Sequence, residues 1–198
     1  MQTAQRFALA LGIAALSASS FAATTVYTSS ASFLPNVGPG AYFENFNGLP
    51  SSPPESFAGG AFAYTISAAE GLYASGEFIG TNQPDEALTI TFTSGNVSAV
   101  GGNFYATNIS DAFQSVSLTL TLSDGTSVSF TPSSATDSFR GFASTALITS
   151  LTISAPGASL YAGLDNLTVG VSAVPEPASA LMLALGAAAL LVARRRRA

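Results

Sequence analysis

The chain has 198 residues, contains no histidine and no cysteine, and carries charge on only 9% of its residues. This length suits one domain of ordinary size with a hydrophobic core. The lack of cysteine excludes disulfides and thiolate nucleophiles, and the lack of histidine excludes Ser-His-Asp triads and imidazole zinc sites.

The charges are distributed unevenly along the chain. Residues 23–174 hold ten carboxylates and one basic residue, Arg140, which gives this part of the chain a net charge of about −9. Proteins bind nucleic-acid phosphates and anionic lipids through Lys and Arg. We therefore expect no nucleic-acid partner for this part of the chain, whereas cations and neutral polymers are compatible with it.

The first 22 residues have the organisation of a secretory signal peptide. One positive charge at Arg6 precedes an apolar stretch that ends at Leu16, and Ser20 and Ala22 supply small residues at the cleavage site. We interpret residues 1–22 as a signal peptide, with signal peptidase and the secretion machinery as partners. The alternative is a first core helix, but no polar face recurs at helical spacing.

Residues 23–171 carry the pattern of β-strands. Apolar residues alternate mostly with Ser and Thr in 88–92, 116–122 and 167–171. An apolar residue at every second position predicts a strand with one buried face and one solvent-exposed face. Eight or more short strands without a helical period predict an all-β antiparallel sandwich, and a jelly roll is the connectivity that we favour. Further strands are predicted at 40–46, 61–67, 71–79, 97–106, 139–143, 147–154 and 158–164.

The hydrophobic pattern also selects the register of one hairpin. A three-residue loop over 123–125, with its glycine in the left-handed conformation, pairs Leu120 with Val128 and Leu118 with Phe130. A two-residue turn would instead place Val128 on the solvent face. The longer loop is therefore predicted.

The segments AYFENFNG and YAGLDNLTVG resemble the first and last strands of jelly-roll carbohydrate-binding and lectin-like modules. In those modules an early Glu and a late Asp often help to hold a structural calcium ion. The resemblance implies Glu44, Asp165 and Asn166 as metal ligands, and oxygen ligands of this kind suit calcium. The alternative is that Glu44 is a solvated strand residue and that Asp165 and Asn166 form a turn.

Tyrosines are the candidates for contact with a sugar ring, because the chain has six of them and no tryptophan. A tyrosine ring can stack on a sugar while its hydroxyl bonds a polar group. The alternative is that these rings pack at sheet edges. We predict a glycan-binding set of Tyr42, Tyr73, Tyr105 and Tyr161.

Carboxylate pairs are the only general acid–base groups that the composition leaves. Glu70, Glu77, Asp85 and Glu86 are the candidates, but nothing in the sequence marks two of them as facing each other across a cleft. Solubilising surface charge is the simpler interpretation, so we predict no enzyme activity. A glycoside hydrolase or lyase that uses carboxylates alone is the alternative.

The C-terminal segment joins three elements in order. Residues 175–177 are Pro-Glu-Pro, residues 178–193 are apolar except for one serine, and residues 194–197 are arginines. The apolar run is close to the minimal length of a transmembrane helix, and arginines stay on the cytoplasmic side, so the preceding domain is expected on the exported side. Pro-Glu-Pro is a stiff, extended segment that suits recognition by a processing enzyme.

This tail resembles the PEP-CTERM sorting signal of exported bacterial proteins. The resemblance implies processing by an exosortase, an integral-membrane cysteine transpeptidase, from an inner-membrane intermediate in a Gram-negative bacterium. It further implies delivery to the cell surface or the extracellular matrix. An ordinary single-pass anchor is the alternative. The residues that carry the resemblance are Pro175, Glu176, Pro177, Arg194, Arg195, Arg196 and Arg197.

These features together predict an exported, non-catalytic protein of the cell surface or biofilm matrix that associates with exopolysaccharide, to which such sorting systems are tied. A calcium-dependent carbohydrate-binding module is the first alternative function, and no cofactor other than that structural calcium ion is expected. The predicted organisation is a signal peptide (1–22), a β-sandwich (23–171), a linker (172–177), a transmembrane helix (178–193) and a basic tail (194–198).

Overall fold

The computed structural model describes residues 23–155, 157, 159–173 and 186. The predicted signal peptide, the Pro-Glu-Pro motif, the predicted transmembrane helix apart from Gly186, and the arginine tail lie outside the described residues. Within the described part of the chain, no helix has the length and hydropathy needed to cross a membrane.

The described residues form fourteen strands and one short α-helix. The helix is α1 (Ser30–Phe33), and a 3-10 turn over Leu34–Asn36 follows it. In chain order the strands are β1 (Thr24–Tyr27), β2 (Tyr42–Glu44), β3 (Ser56–Gly59), β4 (Phe62–Ser67), β5 (Leu72–Ala74), β6 (Ile79–Thr81), β7 (Ala87–Phe92), β8 (Ala99–Thr107), β9 (Phe113–Gln114), β10 (Leu118–Leu122), β11 (Ser127–Phe130), β12 (Phe139–Ser144), β13 (Ser150–Ser154) and β14 (Tyr161–Gly170).

The strands form two antiparallel sheets, which confirms the predicted all-β class. The eight-stranded sheet has the order β1-β12-β8-β14-β6-β5, with β2 paired to β14 and β9 paired to β8. The six-stranded sheet has the order β11-β10-β13-β7-β4-β3. Because one face of each sheet is apolar, the two sheets contribute to a shared hydrophobic core.

The core follows from the alternation in the sequence. In β7, the side chains of Leu88, Ile90 and Phe92 are buried, whereas Thr89 and Thr91 lie on the other face. Full burial of one such apolar side chain stabilises the fold by about 1.5–3 kcal/mol. The same alternation in β4, β10 and β13 gives the six-stranded sheet one apolar and one polar face.

The predicted hairpin register is confirmed. Leu118 pairs with Phe130 and Leu120 with Val128 across β10 and β11. Gly125 has a φ of 87°, the left-handed value that the three-residue loop requires. Its N–H donates to the Leu122 carbonyl at 3.0 Å and closes the turn.

The single strand predicted over 71–79 is wrong. The structure has β5 and β6, joined by a turn in which the Ser75 N–H donates to the Phe78 carbonyl at 3.2 Å. Gly76 has a φ of 93°, and the Ser75 hydroxyl accepts from the N–H groups of Glu77 and Phe78. The Ser-Gly-Glu triplet is therefore a turn, which folds the chain back on itself.

The two strands predicted over 158–164 and 167–171 are one strand, β14. A β-bulge between Asp165 and Thr168 interrupts its pairing with β8, and Asn166 has a φ of 54°. An extra residue at a bulge shifts the alternation without ending the strand. The sequence prediction also missed β1, β3, β9 and α1. The Ser29 hydroxyl caps the first turn of α1.

Candidate functional site

A cleft of about 250 Å³ opens beside the strands β5, β6, β8 and β14 and the loop between β8 and β9. In this part of the sheet Tyr161 pairs with Thr107, and the adjacent pair, Ala162 and Ala106, is buried in the core. The cleft therefore lies on the outer face of the eight-stranded sheet. Its lining residues are Tyr73, Phe78, Thr81, Asn82, Thr107, Asn108, Ile109, Asp111 and Tyr161.

Two glycines shape the sheet beneath this region. Gly163 of β14 and Gly80 of β6 pair with each other, between Tyr105 on one side and Tyr73 on the other. A Cβ atom at Gly80 would lie 2.6 Å from the Ala162 carbonyl oxygen, so β6 can approach β14 this closely only with glycine there. The Tyr105 ring lies against Gly163, where a Cβ atom would be 3.3 Å from Tyr105 Cε2.

A chain of ring contacts forms one side of the site. Tyr73 contacts Phe78 with ring centroids 6.4 Å apart, and Phe78 contacts Tyr105 at 5.7 Å. Tyr105 is only 6% exposed, so it supports the site from below. Its burial, together with the negative charges of nearby carboxylates, raises the pKa of the Tyr105 hydroxyl well above its usual value.

The loop after β8 forms the opposite side. The Asn108 carboxamide oxygen accepts from the N–H groups of Ser110 and Ala112 at 2.9 and 3.1 Å, which is the bonding of an Asx turn. The Tyr73 hydroxyl donates to Asp111 Oδ2 at 2.8 Å and joins β5 to this loop. That hydrogen bond is the main reason why the pKa of Tyr73 is raised. Ile109 at the tip is 80% exposed.

Two of the four predicted glycan-binding tyrosines, Tyr73 and Tyr161, thus line the cleft, and Tyr105 supports it. Tyr42 lies elsewhere. Its hydroxyl donates to the Glu44 carboxylate, and its ring covers Gly59 of the six-stranded sheet, where a Cβ atom would overlap it. Tyr42 therefore lies at the contact between the two sheets, and sugar binding by the four tyrosines stays a prediction.

The structure brings together two of the three predicted calcium ligands. The Asp165 carboxylate accepts from the backbone N–H and the side-chain amide of Asn166, each at 2.7 Å. Burial raises the pKa of Asp165; the Asn166 N–H opposes this effect and the charge of Glu77 adds to it. The Asn166 amide also donates to Asn103 Oδ1 at 3.4 Å, a contact that the sequence did not indicate.

Glu44 lies on the other face of the same sheet. It pairs with Leu167, which is buried in the core, whereas Asp165 pairs with Asn103 on the outer face. The Glu44 carboxylate accepts from Tyr42 and from the Phe46 N–H. Among the described residues, no group of three or more Asp or Glu side chains is placed to hold a metal ion. The calcium site stays a prediction.

A second surface is the outer face of the six-stranded sheet. None of its six strands, which all lie in the described part of the chain, contains a charged residue. We call this surface the hydroxyl face. Twelve of its outward side chains carry a hydroxyl group: Ser56, Thr65, Ser67, Thr89, Thr91, Thr119, Thr121, Ser127, Ser129, Ser150, Thr152 and Ser154.

The register aligns these hydroxyl groups in rows across the sheet. The longest row crosses five strands and consists of Ser127, Thr121, Thr152, Thr89 and Ser67. Adjacent strands lie about 4.8 Å apart, so neighbouring hydroxyls contact each other. Thr89 and Thr152 bond at 3.3 Å, for example. The result is a regular, uncharged surface of hydrogen-bonding groups.

The comparisons with known proteins address the tail of the chain. Residues 173–197 match the family model of the PEP-CTERM protein-sorting motif, which confirms the predicted sorting signal. The chain therefore carries the signal of an exosortase substrate, as expected of a secreted bacterial protein directed to the cell surface. No curated protein and no solved structure matches the chain.

Proposed function

We propose that this exported, exosortase-sorted chain is a non-catalytic component of the bacterial cell surface or extracellular matrix, and that its β-sandwich associates with exopolysaccharide. The hydroxyl face carries the proposal. Its twelve hydroxyl groups lie on strands without charge, on a domain whose carboxylates lie mainly in turns and loops. A polysaccharide presents the same chemistry, a dense array of hydroxyl groups.

Hydroxyl groups suit contact with such a polymer for a physical reason. Each Ser or Thr hydroxyl donates one hydrogen bond and accepts others, so it matches a sugar hydroxyl in either role. An ion would lose its hydration in the contact at a high cost, but an uncharged hydroxyl exchanges one hydrogen bond for another. Single contacts are weak, and a repeating polymer can make several of them at once on a regular face.

The arrangement of the carboxylates supports a non-catalytic role. Glu86, one of the candidates for acid–base catalysis, accepts the Glu70 N–H with both oxygens, at 3.1 and 3.2 Å. Carboxylates bound in this way stabilise turns and loop ends. Six of the ten carboxylates of residues 23–174 accept hydrogen bonds from other groups of the chain: Glu44, Glu86, Asp111, Asp124, Asp137 and Asp165.

The jelly-roll connectivity belongs to the same proposal. From β7 onward the chain passes repeatedly between the sheets: β7, β10, β11 and β13 lie in one sheet, and β8, β9, β12 and β14 in the other. Repeated crossing between two sheets is typical of double Greek-key sandwiches. It supports the jelly roll over a simple meander.

Charge placed on the hydroxyl face is expected to release the protein from the matrix. In the double variant Thr89→Lys, Thr152→Lys, two ammonium groups stand in the middle of the longest row, where a polysaccharide would have to desolvate them. We expect the matrix-bound fraction of the exported protein to fall by about tenfold, equivalent to about 1.4 kcal/mol. Quantitative blotting of the matrix and medium fractions measures this effect.

The matched control adds the same charge elsewhere. Ser52 and Ala69 are exposed in loops, so the double variant Ser52→Lys, Ala69→Lys should keep the wild-type matrix-bound fraction. Circular dichroism confirms that both variants are folded. Equal retention of the face variant and the loop variant would show that the hydroxyl face does not hold the protein in the matrix.

A further inference from the structure

We infer that the cleft on the outer face of the eight-stranded sheet binds one neutral sugar unit, such as a chain end or a branch of the exopolysaccharide. This inference rests on the proposed function and names a specific site within it. The observations that carry it are the aromatic lining, the polar side chains beside it, the absence of basic side chains in the described surroundings, and the size of the cleft.

The aromatic lining provides a surface for the apolar face of a sugar. Tyr73 and Tyr161 are partly buried, and both line the cleft, with Phe78 beside Tyr73. A ring held by its strand loses little conformational freedom when it contacts a ligand. Exposed Ile109 at the tip of the loop extends this apolar lining to the rim.

Polar groups converge on the same space. Asn82 and Asn108 contribute side-chain amides to the cleft. Tyr73 donates to Oδ2 of Asp111, so Oδ1 of that carboxylate is outside this hydrogen bond. Thr81 also borders the cleft, but alternation places its side chain with that of Ile79 on the core face of β6. The polar groups available to a ligand are therefore the two amides and the Asp111 carboxylate.

The charges of the site select a neutral ligand. Arg140 is the only basic residue in the described part of the chain, and its guanidinium lies 3.8 Å from the ring centroid of Phe130, outside the cleft. An anionic ligand would therefore meet Asp111 without a compensating cation. A cation would require clustered carboxylates, which the described residues do not provide. A purely apolar ligand would bury the amides unpaired.

The size of the cleft limits the ligand to about one ring. Its volume of about 250 Å³ is just below the range of about 300–1,000 Å³ that is usual for drug-sized ligands. A neutral sugar ring has an apolar face for the tyrosines and hydroxyl groups for Asn82, Asn108 and Asp111. It is the ligand class that meets all of these conditions.

The test uses the full chain in a detergent that has no sugar headgroup, with methyl glycosides of glucose, galactose and mannose as neutral probes and glucuronic acid as the anionic probe. Saturation-transfer NMR detects contact between protons of the protein and ring protons of the glycoside. A titration that follows the fluorescence of the protein gives the affinity. Because the chain has no tryptophan, its emission comes from tyrosine. We expect saturable binding of at least one neutral glycoside and none of glucuronic acid.

Two variants localise the binding. Tyr161→Ala removes a ring and is expected to weaken binding by about tenfold, the upper range for an aromatic contact. Asn82→Ala removes one of the side-chain amides that line the cleft, so it should weaken binding without unfolding the chain. Tyr27→Ala and Asn47→Ala are the matched controls, because they alter a partly buried tyrosine and an exposed asparagine outside the cleft.

The inference is overturned if no neutral glycoside binds, if glucuronic acid binds as tightly, or if the cleft variants bind like the controls. Its failure is distinguishable from that of the proposed function. Loss of matrix retention in the hydroxyl-face variant without glycoside binding would reject only the cleft. Glycoside binding with equal retention of every face and loop variant would reject only the role of the hydroxyl face.

Discussion

Replacement of Pro175, Glu176 and Pro177 by alanine is expected to leave the chain as an unprocessed precursor. The three residues lie in the segment that matches the PEP-CTERM sorting motif. Proline disfavours a helix interior and lacks an N–H donor, whereas alanine is a strong helix former, so three alanines would favour a helix at the recognition site. We expect mature protein at the cell surface to fall to background, as measured by blotting and by mass spectrometry of the C-terminus.

The same experiment separates recognition from membrane insertion. Insertion depends on the apolar run and on Arg194 to Arg197, which the alanine variant retains, so its precursor should still fractionate with membranes. Alanine at Pro53 and Pro54 is the control, because it removes two prolines from a loop of the sandwich and should leave processing intact. Normal trimming of the variant with alanine at 175–177 would mean that the tail is an ordinary anchor.

The second large effect is a loss of stability in alkaline solution. Tyr64 is buried, and its hydroxyl has no hydrogen-bond partner among the described residues. Burial, and to a lesser extent the charges of Tyr42 and Glu44, raise its pKa far above the ordinary value of about 10. Burial, followed by the hydrogen bond to Glu44, raises the pKa of Tyr42 to about 12.

The direction of this effect follows from linkage. Because the folded state favours neutral tyrosine, its contribution to stability is fully present below the unfolded pKa of about 10 and is lost as the pH rises through the folded pKa values. We therefore expect the free energy of unfolding to be flat up to about pH 9 and to fall steeply between about pH 10 and 12. Denaturant unfolding followed by circular dichroism at each pH measures this curve.

A variant identifies the tyrosine responsible. Tyr64→Phe keeps the stacked contact with Phe57, where the ring centroids are 5.4 Å apart, and removes the unpaired hydroxyl. It should raise the stability at neutral pH by about 1 kcal/mol and move the alkaline transition to higher pH. Tyr27→Phe, in the smaller cluster around Phe33, is the control. An unchanged alkaline transition in Tyr64→Phe would contradict this assignment.

The strands that could be predicted are those whose pattern is local. Leu118, Leu120 and Leu122 alternate with threonine, and Gly125 fits the three-residue loop over 123–125. The all-β fold class and the register of this hairpin therefore follow from residues that are close in the sequence. The hairpin over 71–79 could not be predicted because Leu72, Ala74 and Phe78 fit one period-two apolar pattern across the turn. At Asp165 the bulge breaks the alternation, so one strand resembled two.

The candidate site was predictable only in part. Tyrosines that could contact a sugar are visible in the sequence, but the register of four strands and the fold of the loop after β8 decide that Tyr73 and Tyr161 share a cleft. The polar residues of the cleft have no sequence signal, because only the fold brings them beside the tyrosines. Glu44 and Asp165 were paired by resemblance, and the register that places them on opposite faces is a long-range property.

The most direct test of the proposed association is calorimetry of the exported protein, recovered from the source bacterium, with that organism's own exopolysaccharide. We predict saturable heat that the Thr89→Lys, Thr152→Lys variant loses and the Ser52→Lys, Ala69→Lys variant keeps. The absence of heat with the wild-type protein, in the presence of calcium and of a chelator alike, would contradict the proposal that the β-sandwich binds the exopolysaccharide.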